Sequence, residues 1–154
     1  MEESITGQGQ MDELARGICE NMGVTGDWED PSPVMLAYVG DAVYELILRT
    51  TLTASGRMSP KELHRKVTKY VSASAQSKVF EALESSELLT AAESDILRRG
   101  KNASPNHTAR SVSMAEYHKA TGVEALIGFL YLHGQTQRAT CLLREGLQAA
   151  GLSL

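Results

Sequence analysis

Along Leu36-Ala37-Tyr38-Val39-Gly40-Asp41-Ala42-Val43-Tyr44-Glu45-Leu46-Ile47-Leu48-Arg49, apolar positions recur every three or four residues. Leu36, Val39, Val43, Leu46, Ile47 and, marginally, Thr50 fall on one side at helical spacing, which predicts a helix. The other side is not polar either: it carries Val34, Ala37, Tyr38, Ala42 and Leu48, with Asp41 and Glu45 one turn apart among them. A helix apolar on both sides is normally buried on both sides. Gly40 costs such a helix about 1 kcal/mol relative to alanine, which points to a close approach to its backbone. The two carboxylates are therefore expected in a crowded cleft, where an unpaired charge is expensive and calls for a partner such as a metal ion.

The remaining pattern is also helical. Ser32 is the expected N-cap of the first long helix, with Pro33 at its first position, and Trp28, Pro31 and Pro33 are expected to anchor its entry. Ser59-Pro60-Lys61-Glu62 reads as a capping box opening a helix to about Ser72, with Leu63, Val67 and Tyr70 on its apolar side and Arg65, Lys66 and Lys69 on a flank. After a break at Ser72-Ala73-Ser74, a further helix carries Ala75, Val79, Phe80 and Leu83. Thr90-Ala91-Ala92-Glu93 is a second capping box, and its helix is expected to close at Gly100 with Arg98 and Arg99 in the last turn. Lys101 to Val112 lacks periodicity and reads as an exposed, mobile loop. Ser113-Met114-Ala115-Glu116 is a third capping box, opening a helix to about Leu132 that ends at Gly134. The last helix spans roughly Thr136 to Ala149, with Gly151 beyond it. No stretch alternates with period two for long enough to be a strand, so the fold class is all-α.

A second focus is Ala120-Thr121-Gly122-Val123-Glu124-Ala125-Leu126-Ile127-Gly128-Phe129-Leu130-Tyr131-Leu132, in which Glu124 is the only charge. Two helices that each bring a carboxylate into an apolar setting can form a divalent-metal site. Oxygen-only ligation with few protein ligands favours Mg²⁺ or Mn²⁺. The alternative is that Glu124 pairs with a buried arginine or lysine. The histidines His64, His107, His118 and His133 show no metal spacing. Gly7-Gln8-Gly9 does not join a strand to a helix and is no phosphate loop. Cys141 falls on the apolar face of the last helix, which disfavours a catalytic Cys/His pair.

Charge changes this picture. The net charge of −4 over 154 residues hides a division: residues 1–45 hold ten acids and Arg16 alone as a base, while residues 46–154 hold fourteen bases against nine acids. The bases concentrate in Arg57, Lys61, Arg65, Lys66 and Lys69, and again in Arg98, Arg99, Lys101, Arg110 and Lys119. Such asymmetry points to a polyanion partner, or else to two solvated helix faces. Aromatics are scarce, which disfavours base stacking on single strands, whereas duplex recognition through phosphates and 2′-hydroxyls remains open. Cys19 and Cys141 are far apart and read as reduced thiols of a cytosolic protein. No run reaches the length of a membrane span, and the first thirty residues lack the charge and apolar regions of a signal peptide.

Leu36-Ala37-Tyr38-Val39-Gly40-Asp41-Ala42-Val43-Tyr44-Glu45 resembles the signature helix of ribonuclease III catalytic domains, and more closely that of the Mini-III branch, which lacks a separate double-stranded-RNA-binding domain. Tyr70-Val71-Ser72-Ala73 with Gln76, Arg98-Arg99-Gly100-Lys101-Asn102-Ala103 and Ala120-Thr121-Gly122-Val123-Glu124-Ala125-Leu126-Ile127-Gly128 agree in order and spacing. The resemblance covers roughly residues 30–150. It implies a ribonuclease III-like helical domain over 30–154 behind a flexible segment 1–29, and a homodimeric, divalent-metal-dependent endonuclease of double-stranded RNA, acting on precursor ribosomal RNA. Asp41 matches the signature aspartate and Glu124 the essential late glutamate, making them the implied catalytic and metal residues. Ala37 and Val34 stand where full-length members carry two further glutamates, and Thr121 replaces an aspartate. Whether one or two ions bind is left open, and Glu45 is an additional candidate ligand.

On this reading Asp41 and Glu124 hold Mg²⁺, with Mn²⁺ as the alternative, and Lys66, Lys69, Arg98, Arg99, Lys101 and Arg110 contact RNA phosphates without reading bases. The 101–112 loop closes on the duplex. The expected compartment is the cytoplasm, or the plastid stroma in a plant or alga, with no membrane association. The competing readings are a non-catalytic helical RNA-binding or ribosome-associated protein of the same fold, and a scaffold that binds no RNA.

Overall fold

The computed structural model describes residues 13–24, 29–103 and 113–154. The anchoring expected of Trp28, the phosphate contact expected of Arg110 and the loop over 104–112 lie outside these residues. Among the described residues all regular structure is helical: α1 (Glu13–Asn21), α2 (Pro33–Ala54), α3 (Pro60–Val71), α4 (Ala73–Glu84), α5 (Ala91–Asn102), α6 (Met114–Leu132) and α7 (Thr136–Ala149). None of these helices is long and apolar enough to cross a membrane.

The helix ends follow the local chemistry. Ser32 accepts a hydrogen bond from the Met35 N–H, with Pro33 opening α2. Ser59/Glu62 and Thr90/Glu93 form complete capping boxes on α3 and α5, each satisfying main-chain donors that a helix start leaves unpaired. At α6 the box is only half made among the described residues: the Ser113 hydroxyl accepts from the Glu116 N–H, but the Glu116 carboxylate does not accept from the Ser113 N–H in return. Ser72, extended at φ −60° and ψ 152°, is the single residue between α3 and α4, and its hydroxyl caps Ala75. Gly134 (φ 67°) and Gly151 (φ 75°) terminate α6 and α7 in the left-handed region, which glycine enters without a Cβ penalty.

The hub of the bundle is α6 rather than α2. It packs against α2, α4, α5 and α7, and Val123, Ala125, Leu126, Ile127 and Leu130 are buried on its different sides. That enclosure explains a helix in which Glu124 is the only charge over thirteen residues. By contrast, α2 buries only one face, through Leu36, Gly40, Val43, Tyr44, Leu48 and Leu52. Val34, Met35, Tyr38 and Leu46 are exposed, so the division of α2 into two buried sides is corrected. Leu36 and Val43 do share the core, but Leu46 faces out while Ala37 and Leu48 face in.

Gly100 does not end its helix. It lies inside α5, where a Cβ would come within 2.6 Å of the Ala125 Cβ and 3.0 Å of the Gly122 Cα, so its role is close packing of α5 on α6. The last turn of α5 accordingly carries Arg99 and Lys101. The Glu93 carboxylate, besides closing its capping box, is buried against Arg138 of α7, which donates from Nε at 3.0 Å and from its Nη2 at 2.9 Å. Both cysteines are free thiols, and Cys141 is exposed rather than on the apolar face of α7.

Candidate metal centre and nucleic-acid interface

The two foci of the sequence meet where α2 crosses α6. A Cβ at Gly40 would overlap the Glu124 carbonyl oxygen and lie 2.8 Å from the Gly128 nitrogen. A Cβ at Gly128 would overlap the Leu36 carbonyl oxygen and lie 2.9 Å from the Gly40 nitrogen. The backbones are thus in direct contact, the close approach that Gly40 in a helix predicts. Asp41 follows Gly40 in the chain, and Glu124 precedes Gly128 by one turn, so the crossing itself brings the two acids together.

Asp41 is exposed and Glu124 is largely buried. Burial raises the Glu124 pKa, and the hydrogen bond to Asp41 and the charge of Asp41 raise it further, to about 9. The proton on Glu124 is thus held more tightly than on a free carboxyl, as expected for two acids sharing a small site. Among the described residues neither acid is paired with a lysine or arginine. Two oxygen donors that repel one another once both ionise suit a hard divalent cation. Among the described residues no third Asp, Glu, His or Cys completes a larger ligand cluster.

Glu45, one turn after Asp41, accepts from Arg49 at 2.6 Å. The Thr121 hydroxyl donates to the Tyr117 carbonyl of its own helix at 3.0 Å. The sequence reading passed over Tyr44. It is fully buried, its hydroxyl donates to the Tyr70 carbonyl at 2.6 Å, and burial together with the nearby Glu124 charge holds its phenol protonated far above the usual range. A lone tyrosine on an otherwise aliphatic buried face was the available signal, because a buried hydroxyl requires a partner.

The basic candidates lie on two helices. Lys66 and Lys69 are exposed on α3. On α5, Arg98 and Arg99 share Asp95 at 2.6 and 3.7 Å, exposed pairs that are weak in water and readily exchanged for a phosphate. Lys101 lies with its ammonium 5.5 Å from the centre of the Phe80 ring. Arg99 and Lys101 flank Gly100, which packs on Thr121 and Gly122 one turn before Glu124. Lys119 instead binds Glu81 at 2.7 Å.

Comparison with known proteins matches the Ribonuclease III domain family over residues 34–135. The Mini-ribonuclease 3 of Symbiobacterium thermophilum is 44% identical over 118 residues, covering 77% of this chain and 86% of the relative. That of Enterococcus faecalis is 38% identical over 125 residues, covering 81% and 95%. A crystal structure of a Fusobacterium nucleatum protein superposes with a TM-score of 0.66 at 29% identity, covering 77% of this chain and 93% of that one.

Proposed function

The chain belongs to the ribonuclease III domain family, in its Mini-ribonuclease 3 branch, and from that premise we propose that this endoribonuclease is divalent-metal-dependent and cuts double-stranded RNA in ribosomal RNA maturation. The observation that carries the reading is the meeting of Asp41 and Glu124 at the α2–α6 crossing, where burial and then the neighbouring Asp41 push the Glu124 pKa up to about 9. Asp41 and Glu124 are the residues that would hold Mg²⁺ or Mn²⁺. When bound, the ion supplies the Lewis acidity that phosphodiester hydrolysis uses in place of a histidine base. Thr121 and Glu45 make bonds elsewhere, so the protein side contributes few ligands, which suits Mg²⁺, an ion that retains several waters.

The chain's own residues then divide the work. Asp41 and Glu124 supply the oxygen donors that would hold the ion. Lys66, Lys69, Arg98, Arg99 and Lys101, with Arg110, position the duplex by its phosphates without reading bases. The exposed apolar side of α2, with Tyr38 76% and Leu46 57% exposed, seats against a second copy, so that a two-fold dimer addresses both strands. The compartment consistent with this reading is the cytoplasm.

The test is incubation of the purified protein with duplex RNA and Mg²⁺ beside Asp41→Asn. Cleavage by the unaltered protein alone supports the nuclease. Binding by both without cleavage overturns it in favour of a non-catalytic RNA-binding protein.

A further inference from the structure

The C-terminal end of α3 is held by side chains from two other helices. The last carbonyls of a helix have no partner within it, and Ser72 turns the chain straight out of α3 in an extended conformation. The Tyr70 carbonyl accepts from the Tyr44 hydroxyl of α2 at 2.6 Å, and the Val71 carbonyl from the Gln76 Nε2 of α4 at 3.0 Å. Gln76 is 3% exposed, and its own amide oxygen has no partner among the described residues. A buried amide left half-satisfied is costly, and its other half serves this corner.

Val67 is the only fully buried side chain of α3. Tyr70 and Val71 are half-buried against the core at this same corner, and the Tyr70 hydroxyl donates to the Ser153 carbonyl at 3.4 Å, so the bonds to the two carbonyls fix an end that apolar packing secures only in part. Lys66 and Lys69 lie within its last six residues, Lys69 immediately before Tyr70. At the other end of the link, Tyr44 lies three residues after Asp41 on α2 and close to Glu124.

We propose that Tyr44 is a positioning residue that fixes the basic edge of α3 at a set distance from Asp41 and Glu124, so that the phosphates held by Lys66 and Lys69 are spaced correctly from the one to be cut. This rests on the reading of Lys66 and Lys69 as phosphate contacts. Tyr44 itself touches neither RNA nor ion: its hydroxyl is committed to a main-chain carbonyl. The link is geometric, and loss of the hydroxyl lets the corner drift while the acidic pair stays in place.

The experiment is a double-mutant cycle on the full chain with duplex RNA and Mg²⁺, using Tyr44→Phe, Lys69→Ala and the combination. Tyr44→Phe is expected to raise KM about 5- to 10-fold with kcat within about 2-fold, the pattern of lost uniform binding. The double variant is expected to be no worse than the worse single one, because both remove the same contact. Gln76→Met, which frees the Val71 carbonyl at similar side-chain volume, reaches the same corner by a second route and is expected to give the same KM rise, whether or not Tyr44→Phe folds. A fall in kcat at constant KM, or effects that multiply in the double variant, overturns the positioning role. An unchanged KM and salt dependence in Lys69→Ala alone overturns the phosphate-contact reading, and the proposal with it, and so is distinguishable from failure of the link.

Discussion

Gly40 and Gly128 touch backbone to backbone: a Cβ on either would lie within 3 Å of the other's main-chain nitrogen. Neither neighbouring group is a flexible side chain, so the crowding cannot be relieved by a rotamer change. Gly128→Ala is expected to destabilise the fold by about 3 kcal/mol or more, since it forces two packed helices apart. Denaturant unfolding of the variant measures this, and a loss below about 1 kcal/mol would show that the crossing yields easily.

The raised pKa of Glu124 sets a pH dependence whose sign is fixed. A carboxyl held at about 9 in the fold and near 4.5 when unfolded contributes stability that is fully present below the unfolded value and is lost as pH rises through 9. Metal-free protein is therefore expected to be less stable at pH 9 than at pH 6, by at most about 4 kcal/mol, and to melt at a correspondingly lower temperature. Mg²⁺ is expected to reverse much of that loss, and Glu124→Gln to flatten the profile. Calorimetry with EDTA and with Mg²⁺ across this range is the check.

Asp41→Asn separates chemistry from folding. It removes one of the two anionic donors and leaves the glycine crossing untouched, so cleavage is expected to fall by about 10³-fold or more. The charge that raises the Glu124 pKa also disappears, so the metal-free variant is expected to be at least as stable as the unaltered protein at pH 8. A variant that is inactive because it has unfolded would contradict this.

Glu93 and Arg138 tie α5 to α7 through a buried carboxylate. Arg138→Met strands that charge and is expected to cost about 3 kcal/mol. Although burial opposes ionisation of Glu93, the bonds from Arg138 and Thr90 outweigh it and hold its pKa below the ordinary value. This contribution is present above the unfolded pKa and lost as pH falls through the lowered one. The penalty of Arg138→Met, read from melts at pH 7 and pH 4, is accordingly expected to shrink at the acid end.

Tyr38→Glu combined with Leu46→Glu places charge on the open side of α2, where neither side chain supports the core. The expected outcome is a monomer of unchanged helicity, measured by sedimentation and circular dichroism. A dimer that persists in this variant would overturn the proposal that this flank is the interface.

Much of this architecture was legible because it is written locally. Ser32, Ser59, Thr90, Gly134 and Gly151 announce helix ends through bonds and dihedrals within a turn of themselves. The pairing of Asp41 with Glu124 was legible only in part: each is a charge in an apolar run with a glycine within a turn, which fits a shared site but fits a buried arginine or lysine partner for Glu124 as well. The family resemblance is what joined the two. What escaped the sequence depends on partners far along the chain. Gly100 looked like a terminator, because a glycine needed for contact with Gly122 has the same local appearance as one needed for a turn. Cys141 looked buried, because helical spacing gives the width of an apolar stripe only to within a residue. Likewise, the bonds of Tyr44 to Tyr70 and of Glu93 to Arg138 span 26 and 45 residues, beyond the reach of periodicity.

The enclosure of α6 by four helices has a consequence for how the acidic pair is held. Glu124 belongs to a helix packed by four others, whereas Asp41 rides on a helix with an open flank. A second copy seated on Val34, Tyr38 and Leu46, as proposed, would brace α2 against α6 and so tie assembly on this flank to the hold of the acidic pair on a cation.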